Sequence, residues 1–152
     1  MEQFAALSTP EAAGLTMEIA LAPGVYEVPT LLLDATAVSG EVWLVAQPRG
    51  EAWLRAADGG ELLRTTPMAP WLRLDGLRLQ GQVRVNGSRA SFLECAFDGG
   101  QAAEGGALAV VAGAEVDATR CNFTRNNATR GGAVAVDGGA AHLLACLFKD
   151  NS

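Results

Sequence analysis

Three short stretches decide the fold: Cys95-Ala96-Phe97, Cys121-Asn122-Phe123 and Cys146-Leu147-Phe148. They align without gaps, and the distance between them, about 25 residues, falls within the range of solenoid repeats. A second element keeps the same phase, because Gly105-Gly106-Ala107-Leu108-Ala109-Val110 returns one period later as Gly131-Gly132-Ala133-Val134-Ala135-Val136. A third is an asparagine, Asn126 or Asn151, three residues after each later Phe. Three elements sharing one period mark an internal repeat, whose units bury their apolar faces only by stacking on one another.

Within each unit small and apolar residues alternate, as in Ala107–Val111 and Ala114–Ala118, between clusters of Gly and Asn. A period of two with frequent turns reads as strands, and no window sustains the 3.6-residue period of a helix. A unit of this length holding two or three short strands is one coil of a β-solenoid. Coils lie about 4.8 Å apart, so equivalent positions stack upon themselves. Cys95, Cys121 and Cys146 then form one inward column, and Phe97, Phe123 and Phe148 another. Asn126 and Asn151 are expected at the corner after the Phe strand, in the left-handed backbone region, with their amides bonded from coil to coil. Gly100 takes the equivalent place in the earlier coil.

The first half repeats less cleanly but has the same texture. Val42–Val45, Ala52–Arg55 and Trp71–Gly81 read as strands and turns, and Pro23-Gly24 reads as the turn of a strand pair between Met17–Ala22 and Val25–Val28. Residues 2–7 are expected to form a short helical cap, with Ser8 or Thr9 starting a further turn. The chain is read as one β-helix domain, 1–152. Residues 1–24 are cap and first coil, 25–90 irregular coils, and 91–152 the regular repeats.

Gly14-Leu-Thr-Met-Glu-Ile-Ala-Leu-Ala-Pro-Gly-Val-Tyr26 resembles the opening coil of the pectate-lyase-like superfamily. Gly105–Leu108, Gly131–Val134, Phe123-x-x-Asn126 and Phe148-x-x-Asn151 resemble the GGA[ILV] and FxxN repeats of polymorphic outer-membrane proteins. The resemblance implies an all-β, right-handed parallel β-helix of roughly five to six coils. Such proteins serve adhesion, structural and catalytic roles. The chain stops at Asn151-Ser152, in the corner of a repeat without a capping segment. The expectation is therefore a C-terminal end met by a protein partner or by further coils of the same protein.

Composition narrows the function classes. Hydrophobic residues make up 49 % and charged ones 18 %, which suits a packed chain over a disordered one. A formal charge of −6 opposes binding to nucleic acid and to anionic lipid. No apolar run reaches the roughly 20 residues of a membrane-spanning helix. No secretory signal is legible at the N-terminus.

Chemistry-bearing residues are few. The cysteines lack the close pairing of metal sites and read as small buried hydrophobes. His142 lies in an alternating run with no partner motif around it. Asp75, Glu94, Asp98 and Asp117 show no aspartate pair, and Arg73, Arg78, Arg84 and Arg89 alternate outward. Arg73 and Asp75 share a face and are the first place to look for a groove. Asn86, Asn122 and Asn127 begin Asn-x-Ser/Thr sequons and are candidate glycosylation sites on a secretory route. No metal site, cofactor or catalytic residue is assigned. The expected function is a non-catalytic structural or interaction module of a larger extracellular or cell-surface protein. A carbohydrate-active or glycan-binding module, with polysaccharide as ligand, is the alternative.

Overall fold

The computed structural model describes residues 17–33, 41–57, 60–67 and 69–152. Those residues hold strands and no helix. The helical cap expected at residues 2–7 lies outside them. The strands recur in order along the chain: β1 (Met17–Leu21), β2 (Gly24–Val28) and β3 (Leu31–Leu33), then β4 (Glu41–Ala46), β5 (Ala52–Ala56) and β6 (Glu61–Thr65), then β7 (Trp71–Asp75), β8 (Arg78–Gln80) and β9 (Gln82–Asn86). The regular repeats add a strand: β10 (Arg89–Leu93), β11 (Ala96–Asp98), β12 (Gln101–Glu104) and β13 (Leu108–Val111) are followed by β14 (Glu115–Thr119), β15 (Asn122–Thr124), β16 (Asn127–Arg130) and β17 (Val134–Asp137). β18 (Ala140–Leu144) and β19 (Leu147–Lys149) complete the series.

Each strand pairs in parallel with its counterpart one repeat away. The first sheet runs β1-β4-β7-β10-β14-β18, the second β2-β5-β8-β11-β15-β19, the third β3-β6-β9-β13-β17, and β12 pairs β16. These stacks fit a parallel β-helix, and the same pairing extends from the regular repeats back to Met17. β1 and β2 are not partners of each other, contrary to the reading of Pro23-Gly24 as the turn of a strand pair. They belong to different sheets, and Pro23-Gly24 is a corner. In such a stack neighbours in sequence follow each other around the perimeter, while hydrogen-bonding partners come from the next repeat.

Alternation decides which side chains fill the interior. β4 buries every second residue, Val42, Leu44 and Ala46, and β7 buries Leu72 and Leu74. The core runs the length of the stack and includes Phe92, Phe97 and Phe123, each at most 1 % exposed. Burying each large apolar side chain contributes roughly 1.5–3 kcal/mol.

The corners have a stacked conformation of their own. Glu94, Arg120 and Ala145, each just before a Cys, have φ of 52°, 52° and 56°. Gly99, Arg125 and Asp150, each two residues after a Phe, have φ of 77°, 52° and 57°. The left-handed corner therefore falls one residue before Asn126 and Asn151, not on them. A left-handed residue there sends its side chain outward, as Arg125 does. The next residue turns inward, where an amide can bond to the interior carbonyls. The Gly-Gly pair also divides its labour. Gly105 and Gly131 are left-handed, with φ of 59° and 61°. A methyl on Gly106 would sit 2.5 Å from the Gly132 carbonyl oxygen of the stacked repeat.

Candidate functional site

Interior and exterior columns have different chemistry. Inside, the rings of Phe97 and Phe123 stack at 4.6 Å, and those of Phe123 and Phe148 at 4.7 Å. The amide of Asn126 donates from Nδ2 to the Phe97 carbonyl (3.1 Å) and to Asn151 Oδ1 (3.0 Å), and its Oδ1 accepts from Gly100 N–H (2.9 Å). Asn151 Nδ2 repeats the pattern on the Phe123 carbonyl at 2.9 Å. The ladder thus satisfies peptide groups that the corners would strand in the interior.

The three cysteines follow one another in the stack, since Asn122 N–H bonds to the Cys95 carbonyl and Leu147 N–H to that of Cys121. All three are free thiols whose Sγ atoms lie 3.4–3.6 Å from backbone carbonyls. Cys95 and Cys121 are buried, and burial pushes the Cys95 thiol well above its ordinary value. Cys146, which is less buried, is raised by the same cause. Thiolate is the reactive form. The hydrogen bond from the Cys95 thiol holds Cys121 below its ordinary value instead, but Cys121 is fully buried, so access decides. Iodoacetamide is expected to modify Cys146 first in the native protein, leaving Cys95 and Cys121 unmodified until urea unfolds the chain. Alkylation of Cys95 at the rate of Cys146 would contradict this packing.

Outside, the first sheet gathers residues that are far apart in sequence. One outward column is Trp43, Arg73, Ser91, Asp117 and His142, in register across β4, β7, β10, β14 and β18. Two residues along, Val45, Asp75, Leu93, Thr119 and Leu144 form the next. Between them lies a cavity of about 370 Å³, lined by Trp43, Val45, Arg73, Asp75, Ser91, Leu93, Asp117 and Thr119, with Leu74 and Phe92 also reaching it.

One wall of this cavity is built on tryptophan and arginine. Arg73 Cζ lies 4.4 Å from the ring centre of Trp43 and 5.1 Å from that of Trp71, and Arg89 Cζ lies 4.1 Å from Trp71. Glu41 accepts from Trp43 Nε1 (3.2 Å) and from Arg73 (3.3 Å), and Ser91 Oγ accepts from Trp71 Nε1 (3.2 Å). These contacts tie both indoles to neighbouring side chains of the same sheet face. At the corner Arg49 bridges Asp75 and Glu94, and Glu94 also pairs with Arg120. The Asp117 side chain makes no hydrogen bond or ion pair among the described residues, so its carboxylate is open to a ligand.

Arg73 and Asp75 line this cavity together. Asp117 joins them from two strands away, and His142 is the in-register neighbour of Asp117 on its far side. Glu94 belongs to the corner. Asp98 lies on the second sheet, where the hydrogen-bonded Arg125 guanidinium and the Thr124 hydroxyl hold its carboxyl below its ordinary value. Arg78 stands over Trp53 on the second sheet, and Arg84 lies on the third. Asn122 and Asn127 are exposed and Asn86 is half-buried. Sequence reasoning missed Trp43, Ser91 and Thr119. Their outward positions in alternating strands were the available signal, but their repeat partners were not. No protein-family model, no curated protein and no solved structure matches the chain.

Proposed function

We propose that the chain is a non-catalytic interaction module that binds a neutral glycan on the outer face of its first sheet. The observation that carries this reading is the cavity between Trp43, Arg73, Asp75, Ser91, Asp117 and Thr119. Saccharides are recognised by an aromatic surface flanked by a few convergent polar groups, and this cavity combines both. The open Asp117 carboxylate accepts from sugar hydroxyls, and Ser91 and Thr119 can donate to them. Among the lining residues Asp75 and Asp117 are acidic and Arg73 alone is basic, and Arg73 is already engaged by Glu41. That balance favours a neutral glycan over an acidic polysaccharide.

The same geometry argues against hydrolysis. Asp75 and Asp117 sit two strands apart, roughly 10 Å along the stack alone, whereas retaining carboxylates need about 5.5 Å and inverting ones at most about 9.5 Å. Asp75 is also tied to Arg49. Ser91 and His142 stand on opposite sides of Asp117, so they make no Ser–His pair. In this proposal the stack is a right-handed β-helix of the pectate-lyase-like kind with polymorphic outer-membrane-protein-type repeats, part of a surface protein.

Screening neutral oligosaccharides by array and calorimetry tests the reading. Asp117→Ala, which breaks no hydrogen bond or ion pair among the described residues, is expected to weaken binding by about tenfold or more, since unpaired polar groups at a site cost about 1–3 kcal/mol. Trp43→Ala is expected to do the same while the far-ultraviolet β signature persists. Absence of any neutral-glycan binding, or binding indifferent to both substitutions, would overturn it.

A further inference from the structure

The two halves of the cavity on the first sheet differ in what they leave unsatisfied. At the β4–β7 end the charged groups are already engaged, Arg73 by Glu41 and Asp75 by Arg49. At the β10–β14 end they are not. Neither the Asp117 carboxylate nor the Thr119 hydroxyl has a hydrogen-bond partner among the described residues, and Leu93 stands beside them, half-buried like both. A concavity that presents an acceptor, a donor and an apolar surface favours a ligand group carrying all three complements. We propose that the neutral glycan of this cavity contains an N-acetylated amino sugar, its acetamido group seated between Asp117, Thr119 and Leu93.

The register sets these groups at the separations such a substituent needs. Ser91 is in register with Asp117, and Leu93 with Thr119, across β10 and β14. Strand geometry spaces the four roughly 5 Å apart between strands and roughly 7 Å apart along them. An amide carries its N–H and C=O on opposite edges. Lying between Asp117 and Thr119 along β14, it donates from N–H to the carboxylate and accepts at C=O from the Thr119 hydroxyl. Its methyl then turns toward Leu93 on β10, where apolar burial adds to the hydrogen bonds. Other sugar substituents answer only part of this patch. A hydroxyl serves Asp117 but sets a polar group against Leu93, and a deoxy methyl serves Leu93 but leaves Asp117 without a donor. A free ammonium pairs with Asp117 and leaves Leu93 uncovered.

The proposal rests on the neutral-glycan reading of this cavity, and matched sugars separate the two. On an array, glycans are compared in pairs identical except at C2, glucose against N-acetylglucosamine and galactose against N-acetylgalactosamine, each in several linkages. Calorimetry on the full chain then measures the tightest pair together with its free-amine counterpart. The acetamido member is expected to bind about tenfold more tightly or better, since a site built to hydrogen-bond a group discriminates strongly against analogues lacking it. Leu93→Ala, which removes the apolar contact, and Thr119→Val, which removes the donor at nearly constant shape, are each expected to narrow that ratio by about fourfold. The ratio is taken within one protein preparation, so any loss of folded material cancels. A hydroxyl or amine member that binds as tightly as the acetamido member would overturn the proposal, as would a ratio unmoved by both substitutions. Either result leaves the neutral-glycan reading standing wherever hydroxyl sugars still bind, whereas silence toward every neutral glycan would remove both.

Discussion

Phe123→Ala is expected to lower the stability of the folded chain by about 3–5 kcal/mol, the range for emptying a large aromatic site in a core. Phe123 is fully buried and packs face to face with Phe97 on one side and Phe148 on the other. Parallel strands hold consecutive rings at the coil spacing, so neither neighbour can move in to fill the space without breaking backbone hydrogen bonds. Phe148→Ala is the matching comparison. Its ring is 45 % exposed and has one aromatic neighbour, so its loss is expected to cost about 1 kcal/mol in dilute solution. Urea denaturation of the two variants measures the difference. Equal losses at both positions would mean that the Phe column is not a continuous core.

Asn126→Asp is expected to cost about 3 kcal/mol or more at neutral pH, although it exchanges only an amide nitrogen for an oxygen. Asn126 is 1 % exposed, and its Nδ2 group faces two acceptors, the Phe97 carbonyl and Asn151 Oδ1. A carboxylate oxygen in that place removes both donated bonds and buries a charge against two other oxygens. Turning the Asn151 amide to help would strand the Phe123 carbonyl that it now satisfies. Burial and facing oxygens raise the folded-state pKa of the introduced Asp above its unfolded value of about 3.9. The protonated acid is therefore favoured on folding. The deficit against the parent is smallest below the unfolded value, grows as pH rises from there, and levels off above the folded value. The parent's own loss of the Asp98–Arg125 pair below the ordinary Asp range is common to both proteins and cancels. Urea titrations of parent and variant across that range measure the difference. A pH-independent deficit would show that the residue-126 side chain is not held among acceptors.

These two variants act on features that repeat in the chain, which is why they were legible there. Cys, Phe, Gly-Gly and Asn return at a single period because each stacks on its own kind, and stacking favours like residues along a column. The left-handed corner was misplaced by one position for a related reason. Arg125 and Asp150 have no type in common, and only the backbone reveals what they share.

Sequence alone determined that parallel strands stack with one regular period and which residues face inward, because period and alternation are local properties of the chain. It did not determine which outward residues meet. Along the column Trp43, Arg73, Ser91, Asp117 and His142 the steps in sequence are unequal, longest from Trp43 to Arg73 and shortest from Arg73 to Ser91. Coils of unequal length hide such a column from any search at fixed period. Hydrogen bonding of each strand to the next sets the register regardless of how much loop lies between, so only the tertiary structure could bring Trp43, Arg73, Ser91 and Asp117 around one cavity.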